Sequence, residues 1–187
     1  MNETTNFPKN DRKEIFGWMM YDWANSAFYT TVVAVLLGPY LINLAENSLC
    51  KDVPAAALQN HPCQNGTLFD LFFFNVTPKG FPAFCIAVSV ISMVVVLPVL
   101  GSIADYTNLK KRLMAIFCYV GVLASSLLFF ATGDSYLLGG ILLIVSNMCF
   151  AAAHVFSDAF LIDITTADTR DRVSSYGSVA GYVGVVL

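Results

Sequence analysis

Phe81-Pro-Ala-Phe-Cys-Ile-Ala-Val-Ser-Val-Ile-Ser-Met-Val-Val-Val-Leu-Pro-Val-Leu-Gly-Ser-Ile-Ala104 carries no charged residue from end to end. A helix rises about 1.5 Å per residue, so about 20 apolar residues cross a hydrocarbon core roughly 30 Å thick. This stretch is long enough to span a bilayer. Working outward from it, residues 15–44, 113–131 and 137–162 meet the same test. A further run, 175–187, is worth only roughly 20 Å of helix. The sequence therefore reads as the front part of a longer protein whose fifth span is cut short.

Composition points the same way. The 187 residues are 57% hydrophobic and 12% charged, with a mean hydropathy of +0.66, whereas a soluble domain has about 25% charged residues to cover its surface. The solvent is expected to be mostly lipid, and the fold class all-α: a multi-pass transmembrane helical bundle. Ten basic residues against 13 acidic ones leave a net charge of -3. With no long basic run, nucleic-acid binding has no electrostatic footing.

Lys and Arg positions set the expected orientation, because cytoplasmic loops retain them. Lys9, Arg12 and Lys13, then Lys110, Lys111 and Arg112, then Arg170 and Arg172 all fall on one side, and Lys51 and Lys79 on the other. Residues 1–14 are expected to form a cytoplasmic tail, residues 15–187 a partial membrane domain, and residues 45–80 an outer loop. The tail has no short apolar segment ending in a cleavage site, so the first span is expected to be retained. In the loop, Pro54, Pro62, Pro78 and Asn65-Gly66 argue against continuous helix. The apolar hump from Leu68 to Phe74 is too short to span and is expected on the membrane interface. Cys50 and Cys63 are either disulfide-bonded or two free thiols. Cys85, Cys118 and Cys149 fall within spans and are expected to pack as small apolar residues. Asn65-Gly66-Thr67 and Asn75-Val76-Thr77 fit a glycosylation pattern too short to carry weight.

Polar residues inside spans cost several kcal/mol unless they face protein or water, so each is a functional candidate. In the first span Asp22, Asn25, Ser26 and Tyr29 stand at i, i+3, i+4 and i+7; in the fourth, Asn147, His154 and Asp158 stand at i, i+7 and i+11. Each set makes one stripe. At 1.5 Å per residue Asp22 lies roughly 10 Å below the cytoplasmic surface, Asp158 roughly 6 Å and His154 roughly 12 Å. The three are expected to meet, an arrangement suited to a proton-linked carrier. Plainer readings stand beside it. Asp22, among Trp18, Tyr21 and Trp23, is also placed as a wetted helix-end acid, and His154 with Asp158 as a self-satisfied i,i+4 pair. A metal-ion carrier using His154 and Asp158 is a further alternative, although only Asp22 adds a ligand. No cofactor is expected. Pro98 should kink the second span and Gly101 should allow close packing there. Gly177, Gly181 and Gly184 form a small-residue ridge on the fifth run.

Two stretches resemble known families. Gly101-Ser-Ile-Ala-Asp105-Tyr-Thr-Asn108-Leu-Lys110-Lys111-Arg112 is similar to the cytoplasmic loop motif of the major facilitator superfamily, matching it at Gly101, Asp105, Lys110 and Lys111. Tyr106 replaces a basic residue of that motif and Asn108 a glycine; Asn tolerates the left-handed turn. Within that superfamily, Trp18-Met-Met-Tyr21-Asp22-Trp23-Ala24-Asn25-Ser26-Ala27-Phe28 resembles the opening helix of the vacuole effluxer (autophagy-related protein 22-like) family. The stretches from Asp158 to Leu161, Arg172 to Ser175 and Gly181 to Gly184 resemble it too, with Val185 where that pattern has glycine. The resemblance implies a twelve-helix secondary transporter of which the first four to five helices are present. Its first and fourth helices line a central cavity, and its third faces outward. It also implies small solutes as substrates, with amino-acid export from the vacuole in the fungal member, and a conformational latch in which Asp105 caps a helix or pairs with a basic residue such as Arg172. The host membrane, bacterial inner or vacuolar, is not selected by these residues. A four-helix scaffold using the outer loop as its interaction surface is the rival from another class. An enzyme is not expected, since no nucleophile–base pair or phosphate-cradling loop is evident.

Overall fold

The computed structural model describes residues 9–51, 63, 66–71, 74–107, 110–133 and 135–186, with the side chains of all of these except 34, 71, 74 and 103–107. The architecture is an all-α membrane bundle. Helix α1 runs Arg12–Leu49, α2 Phe81–Thr107, α3 Lys110–Leu127 with a tighter 3-10 turn to Phe130, α4 Tyr136–Ile164 and α5 Ala167–Val186. The first four are each long and apolar enough to cross a membrane. Between α1 and α2 lies a hairpin, β1 Phe69–Leu71 and β2 Phe74–Val76, with Asp70 opposite Asn75.

The helices outrun the apolar segments because their polar ends are capped or packed. Asp11 is extended and its carboxylate accepts the Lys13 N–H at 2.9 Å, so α1 starts at Arg12. At the far end Ala45 is fully buried and α1 continues to Leu49. Its middle, Phe28–Leu37, has the wider π winding, a feature frequent near functional sites. Thr165, extended and buried, breaks the chain after α4 while its hydroxyl donates to Leu161 O at 2.6 Å. Helix α5 therefore begins at Ala167 rather than at Ser175, its charged first turns preceding the apolar part.

Helix α4 is central, and polar pairs fasten its neighbours to it. The Asn147 amide donates to Ser89 Oγ of α2 at 2.6 Å, and the hydroxyls of Ser125 in α3 and Ser146 in α4 lie 2.7 Å apart. In lipid, which exerts no hydrophobic pull between helices, such bonds and close packing hold a bundle together. Leu41, Leu44, Phe81, Cys85 and Leu143 fill the core at the hairpin end. Met93, Ala152 and Phe156 fill the middle, and Trp18, Phe160, Ile164 and Val173 the opposite end. Ile116, Tyr119, Leu123 and Phe129 leave α3 with a broad exposed apolar face.

Three local expectations change. The apolar hump folds as part of the hairpin, in which Phe69 meets Phe84 edge-on at 5.6 Å and Val76 is buried. Strand pairing satisfies backbone groups that lipid cannot. Residues 72 and 73 are outside the described set. Cys50 and Cys63 are disulfide-bonded, with Cα atoms 5.6 Å apart, which settles the open pairing. Among the described residues Gly101 is not a close-packing point, since a Cβ there would meet nothing of theirs within 4 Å. Helix α2 continues through Pro98, and the Ser102 hydroxyl donates to Pro98 O and Val99 O. Of the two glycosylation patterns, Asn75 is exposed in β2 and Asn65 lies outside the described residues.

Candidate functional site

A cavity of about 310 Å³ opens where α1, α4 and α5 come together. Helix α1 contributes Asp22 and Ser26, α4 contributes His154 and Asp158, and α5 contributes Ser174 and Ser178. His154 Nδ1 lies 3.4 Å from Asp158 Oδ2, with side chains 46% and 65% exposed. Those exposures place the pair on an open wall of the cavity. Two carboxylates and one imidazole line the cavity, with no Lys or Arg among them. Such a lining favours protons and cationic groups.

The shape of the cavity follows from glycine. A Cβ on Gly181 would stand 2.9 Å from Ser26 Oγ and 3.1 Å from Asp22 Oδ2, so a bare backbone lets α5 lie against the polar turn of α1. One turn below, a Cβ on Gly177 would enter the Trp18 ring. That ring is buried, and its indole N–H donates to the Ser157 carbonyl of α4 at 2.9 Å. Trp18 thus ties three helices together beneath Asp22.

The stripe expected on α1 divides. Asn25 and Ser26 are about 100° apart around the helix and straddle Asp22. Ser26 turns to the shared cavity, and Asn25 lines a separate, largely apolar cavity of about 180 Å³ with Tyr21, Phe117 and Phe150. Tyr29 stacks on Phe150, ring centroids 5.0 Å apart. On α4, Asn147 shares the phase of His154 but lies about 10 Å further along the axis, where α2 crosses and Ser89 takes its amide. Asp22, Ser26, His154 and Asp158 are brought together; Asn25, Tyr29 and Asn147 are not.

The candidate latch residues also separate. Lys111 Nζ lies 3.2 Å from both carboxylate oxygens of Glu14 in α1, and Lys110 Nζ 3.3 Å from Asp163 in α4. These pairs join α3 to its neighbours at the end opposite the hairpin. Arg172 Nε donates to the Tyr176 hydroxyl at 3.0 Å within α5. The Asp105 side chain is outside the described set. Among the described residues, no group of three or more His, Cys, Asp and Glu stands ready to hold a metal.

Ser174, Ser178 and Trp18 were not among the expected site residues. The signal for the serines was present: with Gly177 and Gly181 they alternate at helical spacing along α5. Trp18 gave no such signal, because its role depends on Ser157 lying across from it. Tyr21 was missed as well; its hydroxyl is buried with no hydrogen-bond partner among the described residues.

Comparison with known proteins adds an independent line. Residues 10–170 match the family model described as vacuole effluxer Atg22 like. The chain is 31% identical to the uncharacterized MFS-type transporter YxiO of Bacillus subtilis (strain 168), over 96% of this chain and 36% of that protein. It is 25% identical to autophagy-related protein 22-1 of Penicillium rubens, over 85% of this chain and 31% of that protein. It is 26% identical to autophagy-related protein 22 of Gibberella zeae, over 88% and 27%. The chain therefore spans between 27% and 36% of the length of these curated relatives. No solved structure matches.

Proposed function

Since the chain belongs to the vacuole effluxer Atg22-like family, we propose that it forms part of a secondary transporter that moves small solutes across a membrane by alternating access. The observation that carries this reading is the cavity in which Asp22 and Ser26 of α1 face His154 and Asp158 of α4. A bilayer protein that keeps two carboxylates and an imidazole on one open wall has a reason to bring water and solute to that depth. The proposed cycle rocks helices around this fixed site, with the Gly101–Arg112 loop as latch. Within it, Lys110 and Lys111 hold the ends of α4 and α1.

The finer part of the proposal is amino-acid export with proton coupling. An α-ammonium group fits a cavity lined by Asp22 and Asp158, and the same carboxylates can carry a proton. Two features support an amino terminus in the cytoplasm. Lys110, Lys111 and Arg12 gather at one end of the bundle, and the Cys50–Cys63 disulfide lies at the other, as an oxidising outer compartment requires.

The test is uptake into proteoliposomes by the full-length protein, using an amino-acid panel with and without a pH gradient. Asp22→Asn and Asp158→Asn should each reduce flux at least tenfold or remove its dependence on the gradient. Normal flux and normal pH response in both variants would overturn the carboxylate mechanism.

A further inference from the structure

On the other side of the α1–α5 contact, away from the solute cavity, the two helices enclose a groove of about 420 Å³. Ile15, Phe16, Met19, Val173 and Tyr176 give it apolar walls, and Arg12 and Arg172 are the charged residues lining it. Phe16 is 61% exposed. Arg172 lies over the Tyr176 ring, 5.6 Å from its centroid, so its cationic head stands directly above an apolar surface. Arg12 is exposed and makes no ion pair among the described residues. It is also the first residue of a helix long and apolar enough to cross a membrane, so it stands at the polar end of that helix whichever way the chain is oriented.

We propose that this groove holds one anionic glycerophospholipid, its phosphate between Arg12 and Arg172 and an acyl chain along Phe16, Met19 and Tyr176. Charge complementarity selects that occupant. An apolar groove facing a bilayer is already bathed in lipid tails, so what distinguishes this one is two guanidinium groups beside its apolar walls with no carboxylate in the lining. Guanidinium suits phosphate geometry. Asp168 and Asp171 occur on the first turns of α5 but do not line the groove, and the Asp11 carboxylate is taken up by the Lys13 N–H. The groove takes Arg172, Val173 and Tyr176 from α5 where the other cavity takes Ser174, Ser178 and Gly181, and the two linings share no residue, so the lipid site stands apart from the transport reading and does not depend on it.

The test is native mass spectrometry of the full-length protein released from micelles doped with equal amounts of phosphatidylglycerol and phosphatidylcholine. The wild type should retain phosphatidylglycerol in clear preference. Arg12→Gln and Arg172→Gln should each lower that preference about fivefold, the effect of one cation at a membrane surface, and the double variant should abolish it. Lys13→Gln, a neighbouring charge outside the groove lining, should leave it intact. Equal retention of the two lipids by the wild type would overturn the proposal without recourse to any variant. So would a loss in Lys13→Gln as large as that in Arg12→Gln, which would reduce the preference to general surface charge.

Discussion

The indole N–H of Trp18 donates to the main-chain carbonyl of Ser157 at 2.9 Å, in a buried position. One side chain thereby joins α1 to α4 just beneath Asp22 and Ser26, which line the cavity between α1, α4 and α5. Trp18→Phe keeps a ring against Gly177 and removes the bond. We expect a loss of about 1 kcal/mol, read as a lower thermal midpoint of the full-length protein in detergent. An unchanged midpoint would mean that ring packing alone makes the joint.

Glycine positions should separate by what surrounds them. Gly181→Ala places a methyl group 2.9 Å from Ser26 Oγ, and overpacking of this kind costs about 1–3 kcal/mol. At Gly101 a Cβ would meet nothing within 4 Å among the described residues, so Gly101→Ala should raise stability by up to about 1 kcal/mol through helix propensity. Thermal unfolding of the two variants side by side checks this; a destabilised Gly101→Ala would reveal a partner for that turn.

The Lys111–Glu14 pair has side chains 52% and 29% exposed. Lys111→Gln should therefore cost no more than about 1 kcal/mol, and the difference from wild type should shrink as salt is raised. A large, salt-independent loss would assign Lys111 a role beyond this ion pair.

Cys50 and Cys63 close a loop with a sequence separation of 13. A loop of that size predicts about 3 kcal/mol of stabilisation from the crosslink. The expected outcome is that a membrane-impermeant maleimide labels these two cysteines from the hairpin side only after reduction, and that Cys50→Ser lowers the thermal midpoint. Labelling without reductant would show two free thiols.

Much of the fold was legible in the sequence because lipid imposes a length rule: the uncharged stretch from Phe81 to Ala104 could scarcely be anything but a span. Ends were harder. The start of α1 at Arg12 depends on a cap by Asp11, and the start of α5 at Ala167 on the break at Thr165; an apolar run records neither. The hairpin around Phe69 was read as an interfacial hump because six apolar residues carry no sign of their pairing partner.

For the site, the sequence by itself singled out Asp22, Ser26, His154 and Asp158 as polar groups that lipid should exclude, and it carried the family resemblance. Tertiary structure alone decided which of the polar stripe faces what. Spacing along a helix fixes only angles about its own axis, whereas the choice among neighbours depends on where the next helix crosses. Gly177 and Gly181 bring α5 against one side of α1, which turns Ser26 inward to the shared cavity, leaves Asn25 in another, and opens the groove beside Arg12. Helix α2 does the same to Asn147 by presenting Ser89.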